Sequence, residues 1–207
     1  MKYARKMMLA VAVLAMVAVS AQAAVVTGVT IEDVSSEFSG RAAVNTINGS
    51  GFTEATGVHD ASFTNMWMSN AELPCSITFD LEANYDLNDV TVWNFNEPGR
   101  TGRGAKAVEI LIASSVGGAY TSLGTFEFSR APGTVSNFGQ VIDLTSYTAA
   151  DDARLVRFAI STNWVPEGGD AKHTGLAEVR FDAVPEPATM SLLGIGGLLA
   201  LVRRRRK

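Results

Sequence analysis

The stretch "KAVEILIA", residues 106–113, sets Val108, Ile110 and Ile112 at every second position, with Glu109 and Leu111 between them. Apolar residues at a period of two mark a strand with one face against a core. Reading outward from it, similar runs occur on both sides. Before it stand "TGVTIEDV" (27–34), "SITFDL" (76–81) and "DVTVWNF" (89–95). After it stand "GTFEF" (124–128), "QVIDL" (140–144), "RLVRFAI" (154–160) and "LAEVRFD" (176–182). Each is rich in β-branched or aromatic residues, and Gly, Pro, Asn, Asp and Ser separate them. No stretch between residues 24 and 183 sustains a helical period over three turns. Eight short strands with turn signals between them predict an all-β domain, a β-sandwich of the jelly-roll kind. An immunoglobulin domain is excluded, because its Cys…Trp…Cys spacing cannot be built from Cys75 alone.

The two ends read differently. Lys2, Arg5 and Lys6 precede the apolar run 7–19, and small residues at Ala21 and Ala23 follow. This three-part pattern predicts a secretory signal peptide over residues 1–23, removed by signal peptidase. The other end, residues 184–207, reads "VPEPATMSLLGIGGLLALVRRRRK". As a helix its uncharged stretch 188–202 would span roughly 22 Å, short of the roughly 30 Å hydrocarbon core. It predicts a marginal transmembrane helix, with Arg203 to Lys207 on the cytoplasmic side. Pro185, Glu186 and Pro187, the apolar helix and the terminal basic cluster together resemble the PEP-CTERM sorting signal of Gram-negative bacteria. That resemblance implies export across the inner membrane, transient membrane anchoring and cutting by an exosortase near the Pro-Glu-Pro. Delivery to the cell surface or extracellular matrix would follow. A plain carboxy-terminal membrane anchor is the alternative.

Between the ends, residues 24–183 hold nine Lys and Arg against twenty Asp and Glu, so the domain sits near −11 while the whole chain is −4. A field of that sign repels polyanions and excludes nucleic acid as a partner. Cys75 has no partner for an internal disulfide and reads as a small buried residue. The two histidines, His59 and His173, fall in no H-E-x-x-H pattern, and there is no G-x-S-x-G or P-loop spacing. The expectation is therefore a non-catalytic protein.

A second resemblance covers residues 45–182. It rests on the order of "INGSG" (47–51), Trp67 with Ser69, "ITFDL", "VTVWNFNE" (90–97), "GRGAKAVEILIAS" (102–114), "YTSLGTFEFSRAPG" (120–133), "ARLVRFAISTNW" (153–164) and "GLAEVRF" (175–181). In this order they resemble the discoidin, or coagulation-factor type C, domain of the galactose-binding-like superfamily. The resemblance implies a module that holds carbohydrate, lipid headgroups or protein at one end of the sandwich. It also implies a structural calcium ion tying the first long loop to the last strand. Asn48 and Glu178 would be its ligands, with Asn45 and Ser50 beside them. Asn48 stands where an Asp is usual, and the other reading is a turn at Asn48 with Glu178 paired to an arginine.

For a sugar, the loop "NFNEPGRTGRG" offers Asn96, Glu97, Arg100 and Arg103, planar groups suited to hydroxyls. Trp67, Trp164 or Phe52 would supply an aromatic face, and His173 a further donor. Arg103 has the alternative role of satisfying loop backbone. The expected function is an exported, surface-sorted glycan-binding module, its ligand a glycan or an exopolysaccharide such as the producing cell's own. A structural matrix protein without a small-molecule site is the rival.

Overall fold

The period of two carries directly into three dimensions. In Ala105–Ala113 the side chains of Val108, Ile110 and Ile112 are buried, whereas Ala107, Glu109 and Leu111 on the other face are partly exposed. The computed structural model describes residues 24–165 and 172–184. The expected signal peptide (1–23) and the expected Pro-Glu-Pro segment and apolar helix beyond Val184 lie outside the described residues.

In chain order the strands are β1 (Ala24–Val25), β2 (Thr30–Val34), β3 (Phe52–Thr53), β4 (Val58–His59), β5 (Trp67–Met68) and β6 (Cys75–Tyr85). Then come β7 (Leu87–Asn94), β8 (Ala105–Ala113), β9 (Thr121–Glu127), β10 (Gln140–Asp143), β11 (Ala153–Asn163) and β12 (Gly175–Ala183). One sheet has the order β2-β6-β11-β8-β9; the other runs β1-β12-β7-β10, with β5 also on β12. Every pairing within these sheets is antiparallel. All eight expected strands are present. Among the described residues the only helical turns are four short 3₁₀ segments, and no helix is long and apolar enough to cross a membrane.

The inner faces of the two sheets meet through aromatic edges. Phe79 of β6 touches Phe158 of β11 and Phe181 of β12 at ring separations of 5.4 and 5.3 Å, and Phe128 extends the chain to Phe158 at 5.4 Å. All four rings are fully buried, each contributing about 1.5–3 kcal/mol. Cys75 opens β6 inside this core, and burial pushes its thiol up to about 12, which leaves it inert as a nucleophile at neutral pH.

A polar loop is expected from residue 35 to 71; instead that segment forms β3, β4, β5 and two 3₁₀ turns. It covers the outer face of the second sheet, where Met66, Met68, Trp93, Phe95 and Ala177 make a smaller dry cluster. Strand β5 is held on β12 by the pairs Trp67↔Leu176 and Met68↔Gly175. A methyl on Gly175 would run into the Trp67 carbonyl oxygen, so this approach requires glycine. Strand β12 begins at this crowded end, bridged to Gly104, and finishes where Ala183 pairs with Ala24 of β1.

Candidate functional site

The loop after β7 is folded by hydrogen bonds of its own. Asn96 is fully buried; its Nδ2 donates to the carbonyls of Asp60 (3.0 Å) and Thr134 (2.8 Å), and its Oδ1 accepts from the Gly133 N–H (2.7 Å). Successive turns follow, Arg100 N–H to Glu97 O at 2.9 Å and Arg103 N–H to Arg100 O at 3.0 Å. The Trp164 N–H then donates to Gly102 O at 2.8 Å, which sets the end of β11 against this loop. Between them lies a cavity of about 290 Å³ lined by Gly99, Arg100, Gly102, Arg103, Arg130, Trp164 and Val165.

Its chemistry is cationic with one aromatic wall. Trp164 is fixed by its Nε1–H donating to Phe128 O (3.0 Å), and Lys106 Nζ stands 4.5 Å from its ring centre. Arg130 donates from Nε to Thr101 Oγ1 at 2.9 Å, leaving the rest of its guanidinium at the exposed rim. Beside the cavity Glu97 accepts from Arg41 at 3.0 Å and lies 3.8 Å from Arg103. Arg41 itself is wedged among Met68 Sδ (3.1 Å), the Phe63 ring (4.5 Å) and the Phe95 ring (5.7 Å).

Of the expected sugar contacts, the structure brings Arg100, Arg103 and Trp164 together at the cavity. Others fall elsewhere. Trp67 is a core residue, with no exposed surface and its Nε1–H committed to Ser36 O at 3.1 Å, so it offers no face to a ring. Asn96 has spent its amide on backbone and is scaffold. Glu97 is the partner of two arginines. His173 does not line the cavity; its Nδ1 lies 3.0 Å from Ser69 O and 3.1 Å from the Ala71 N–H, with Phe38 edge-on at 5.4 Å. Phe52 packs instead on Trp93 (4.8 Å) and under Arg180. Arg41, Lys106 and Arg130 were not singled out by sequence. For none of the three was there a signal: at a period of two Lys106 shares the face of the buried Val108 and Ile110 and reaches the cavity only from the strand's end.

Each expected calcium ligand has protein partners of its own. The Asn45 amide donates to Thr64 O and Met66 O (3.1 and 3.4 Å), and Asn48 Oδ1 accepts the Ser50 N–H at 2.8 Å, a local turn. Glu178 is buried, with Oε1 accepting from Arg180 at 3.0 and 3.1 Å and Oε2 without a partner. The same guanidinium reaches Glu54 at 2.6 Å and lies 4.3 Å from the Phe52 ring centre. Calcium asks for six to eight oxygens. Here one orphan oxygen stands beside a fixed positive charge, and among the described residues no three acidic, His or Cys side chains cluster. The arrangement matches the other reading of the sequence, a turn at Asn48 with Glu178 paired to an arginine.

Burial pushes the Glu178 carboxyl up to about 7, against the pull of Arg180 beside it. A carboxyl raised in the folded state binds protons more tightly than in the unfolded chain, so stability falls as pH rises. Glu178 should contribute its full share below the ordinary value of 4.5 and lose it through about 7, a swing of up to about 3 kcal/mol. Asp182, raised by burial and by Asp89, acts in the same direction. Asp80, held low by Arg154, acts oppositely under acid conditions. Urea unfolding between pH 4.5 and 8.5 should therefore show a decline that Glu178→Gln flattens; an equal decline in that variant would contradict the assignment.

Comparison with known proteins agrees with this architecture. Residues 183–207 match the model of the PEP-CTERM protein-sorting motif. No curated protein matches the chain. The family 32 carbohydrate-binding module of Clostridium perfringens NanJ, solved in complex with galactose, superimposes with a TM-score of 0.56 at 14% identity, over 78% of this chain and 99% of that one. The F5/8 type C domain of a Bacteroides fragilis protein gives 0.55 at 14% identity, over 80% and 98%. The lectin domain of lectinolysin, complexed with Lewis b antigen, gives 0.53 at 18% identity, over 74% and 92%. A family 89 glycoside hydrolase from Clostridium perfringens also matches, but this chain spans 14% of it. Residues 24–183 thus carry the all-β sandwich fold of discoidin-like, F5/8 type C and family 32 carbohydrate-binding domains, and residues 183–207 carry a PEP-CTERM protein-sorting motif.

Proposed function

We propose that the protein is a non-catalytic carbohydrate-binding module, exported across the inner membrane of a Gram-negative cell and handed by its tail to an exosortase. In this reading residues 1–23 are a signal peptide, the apolar run 188–202 is a temporary transmembrane anchor, and the sorted domain ends at the cell surface or in the extracellular matrix. One observation carries the binding role: a cavity of about 290 Å³ with a tryptophan wall and guanidinium groups from three different turns, Arg100, Arg103 and Arg130. That volume suits one sugar ring, and fixed planar donors around an aromatic face suit its hydroxyls. Structural neighbours solved with galactose and with Lewis b support the class of ligand.

No calcium step enters. Arg180 holds the first long loop to β12 in the ion's stead, and a chelator should leave both folding and binding unchanged.

A glycan array probed with the purified chain in detergent tests the reading. Specific signals are expected, and Trp164→Ala should weaken them by tenfold or more. If every glycan fails to bind while the protein is folded, the matrix-protein alternative takes its place.

A further inference from the structure

We propose that the sugar residue taken by this cavity is negatively charged, carrying a carboxylate or a sulfate ester on its ring; this rests on the carbohydrate-binding reading and names its substrate class. The observation behind it is where the positive charge of a negative domain has been placed. Residues 24–183 sit near −11, with only nine cations. Arg41, Arg154, Arg157 and Arg180 are each paired with a carboxylate. Of the other five, Arg100, Arg103, which also approaches Glu97, Lys106 and Arg130 stand on or beside this cavity, and the fifth is the exposed Lys172.

Their surroundings separate them further. Arg103 already serves Glu97, and Arg100 has interactions of its own. Among the described residues Lys106 and Arg130 have no carboxylate partner: the first rests on the Trp164 ring and the second on the neutral hydroxyl of Thr101. No carboxylate lines the cavity among the described residues. In a domain with twenty acidic residues, cations held by an aromatic face and a hydroxyl are left able to meet a charge from outside. The planar fork of Arg130 matches the two oxygens of a carboxylate or sulfate. Lys106 adds a point charge beside the ring on which the sugar would lie. The acidic remainder of the surface repels a polyanion everywhere else, so contact is confined to this mouth. A neutral galactoside takes only hydrogen bonds from these two cations, whereas an anionic sugar adds charge pairing to them.

The test uses the full chain in detergent with three immobilised probes of equal length: an oligogalacturonate, a sulfated galactan oligosaccharide and a neutral galactan oligosaccharide. One or both anionic probes should bind at least tenfold more tightly than the neutral one. Arg130→Ala should remove that tenfold preference, Arg130→Lys should keep part of it, and neither should move the melting temperature, because the side chain is exposed. Binding of the carboxylated probe alone, or of the sulfated probe alone, identifies which ester or acid is read. Equal binding of neutral and anionic probes, or an Arg130→Ala variant with its preference intact, would overturn the inference and leave the carbohydrate reading standing. Silence on all three probes by a folded chain that is also silent on the full array would sink both.

Discussion

Trp67→Ala is expected to lower the stability of the domain by about 3–5 kcal/mol, the range for deleting a fully buried aromatic side chain. For a domain of this size that is a large part of the total. The indole has no exposed surface and points into the main core, while its neighbours Met66 and Met68 point into the smaller cluster on the outer face of the second sheet. One two-residue strand therefore pins two dry layers at once. Its Nε1–H also satisfies Ser36 O, which truncation would leave unpaired. The backbone of Gly175 has come so close to Trp67 that no side chain fits between them, so the surroundings have little freedom to collapse into the space vacated. Trp67→Phe should cost less, about 1–2 kcal/mol, since it keeps most of the volume and loses the hydrogen bond. Urea unfolding measures both, and glycan binding per folded molecule should be unchanged in the phenylalanine variant. Full stability with binding lost would restore Trp67 to the sugar site.

Arg180→Ala carries the second large effect, about 3–5 kcal/mol at pH 8.5, because it leaves Glu178 buried without its cation. Glu178 is 1% exposed on its side chain, whereas Glu54, the other partner, is 70% exposed and returns to water at little cost. At pH 5.5 the stranded carboxyl takes up a proton, so the same substitution should cost less there. Adding Glu178→Gln to Arg180→Ala should recover much of the loss, and a double-mutant cycle at the two pH values gives the coupling. Calcium or a chelator should leave every one of these midpoints in place. A midpoint raised by calcium in the native chain would return the ion to this position.

The sandwich was legible because one dry face per strand imposes a period of two, and Val108, Ile110 and Ile112 display it without ambiguity. Strand β5 was not, since two residues in a polar stretch carry no period, and Trp67 looked like a tryptophan awaiting a ligand. In β12 both faces are buried over Leu176–Val179, one by the opposite sheet and the other by the first long loop, a layering visible only once that loop has folded. At the site, the density of Asn, Glu and Arg in the loop after β7 was a correct pointer to a place. It could not separate Asn96, exhausted by backbone, from Arg100, because both are polar and only the fold decides which faces outward. Arg130 and Lys106 come from other stretches and join the cavity through tertiary structure alone. The sorting motif was readable in full, being a linear signal that needs no partner in space.

Strand β12 also fixes a direction. It starts at Gly175, beside the sugar-sized hollow, and ends at Ala183, where the matched tail begins; nine residues of extended chain separate the two by about 26 Å. Because β1 is zipped to that same far rim, Ala24 lying opposite Ala183, the first and last residues of the sandwich are neighbours, and a chain opened elsewhere could be rejoined there by a short link.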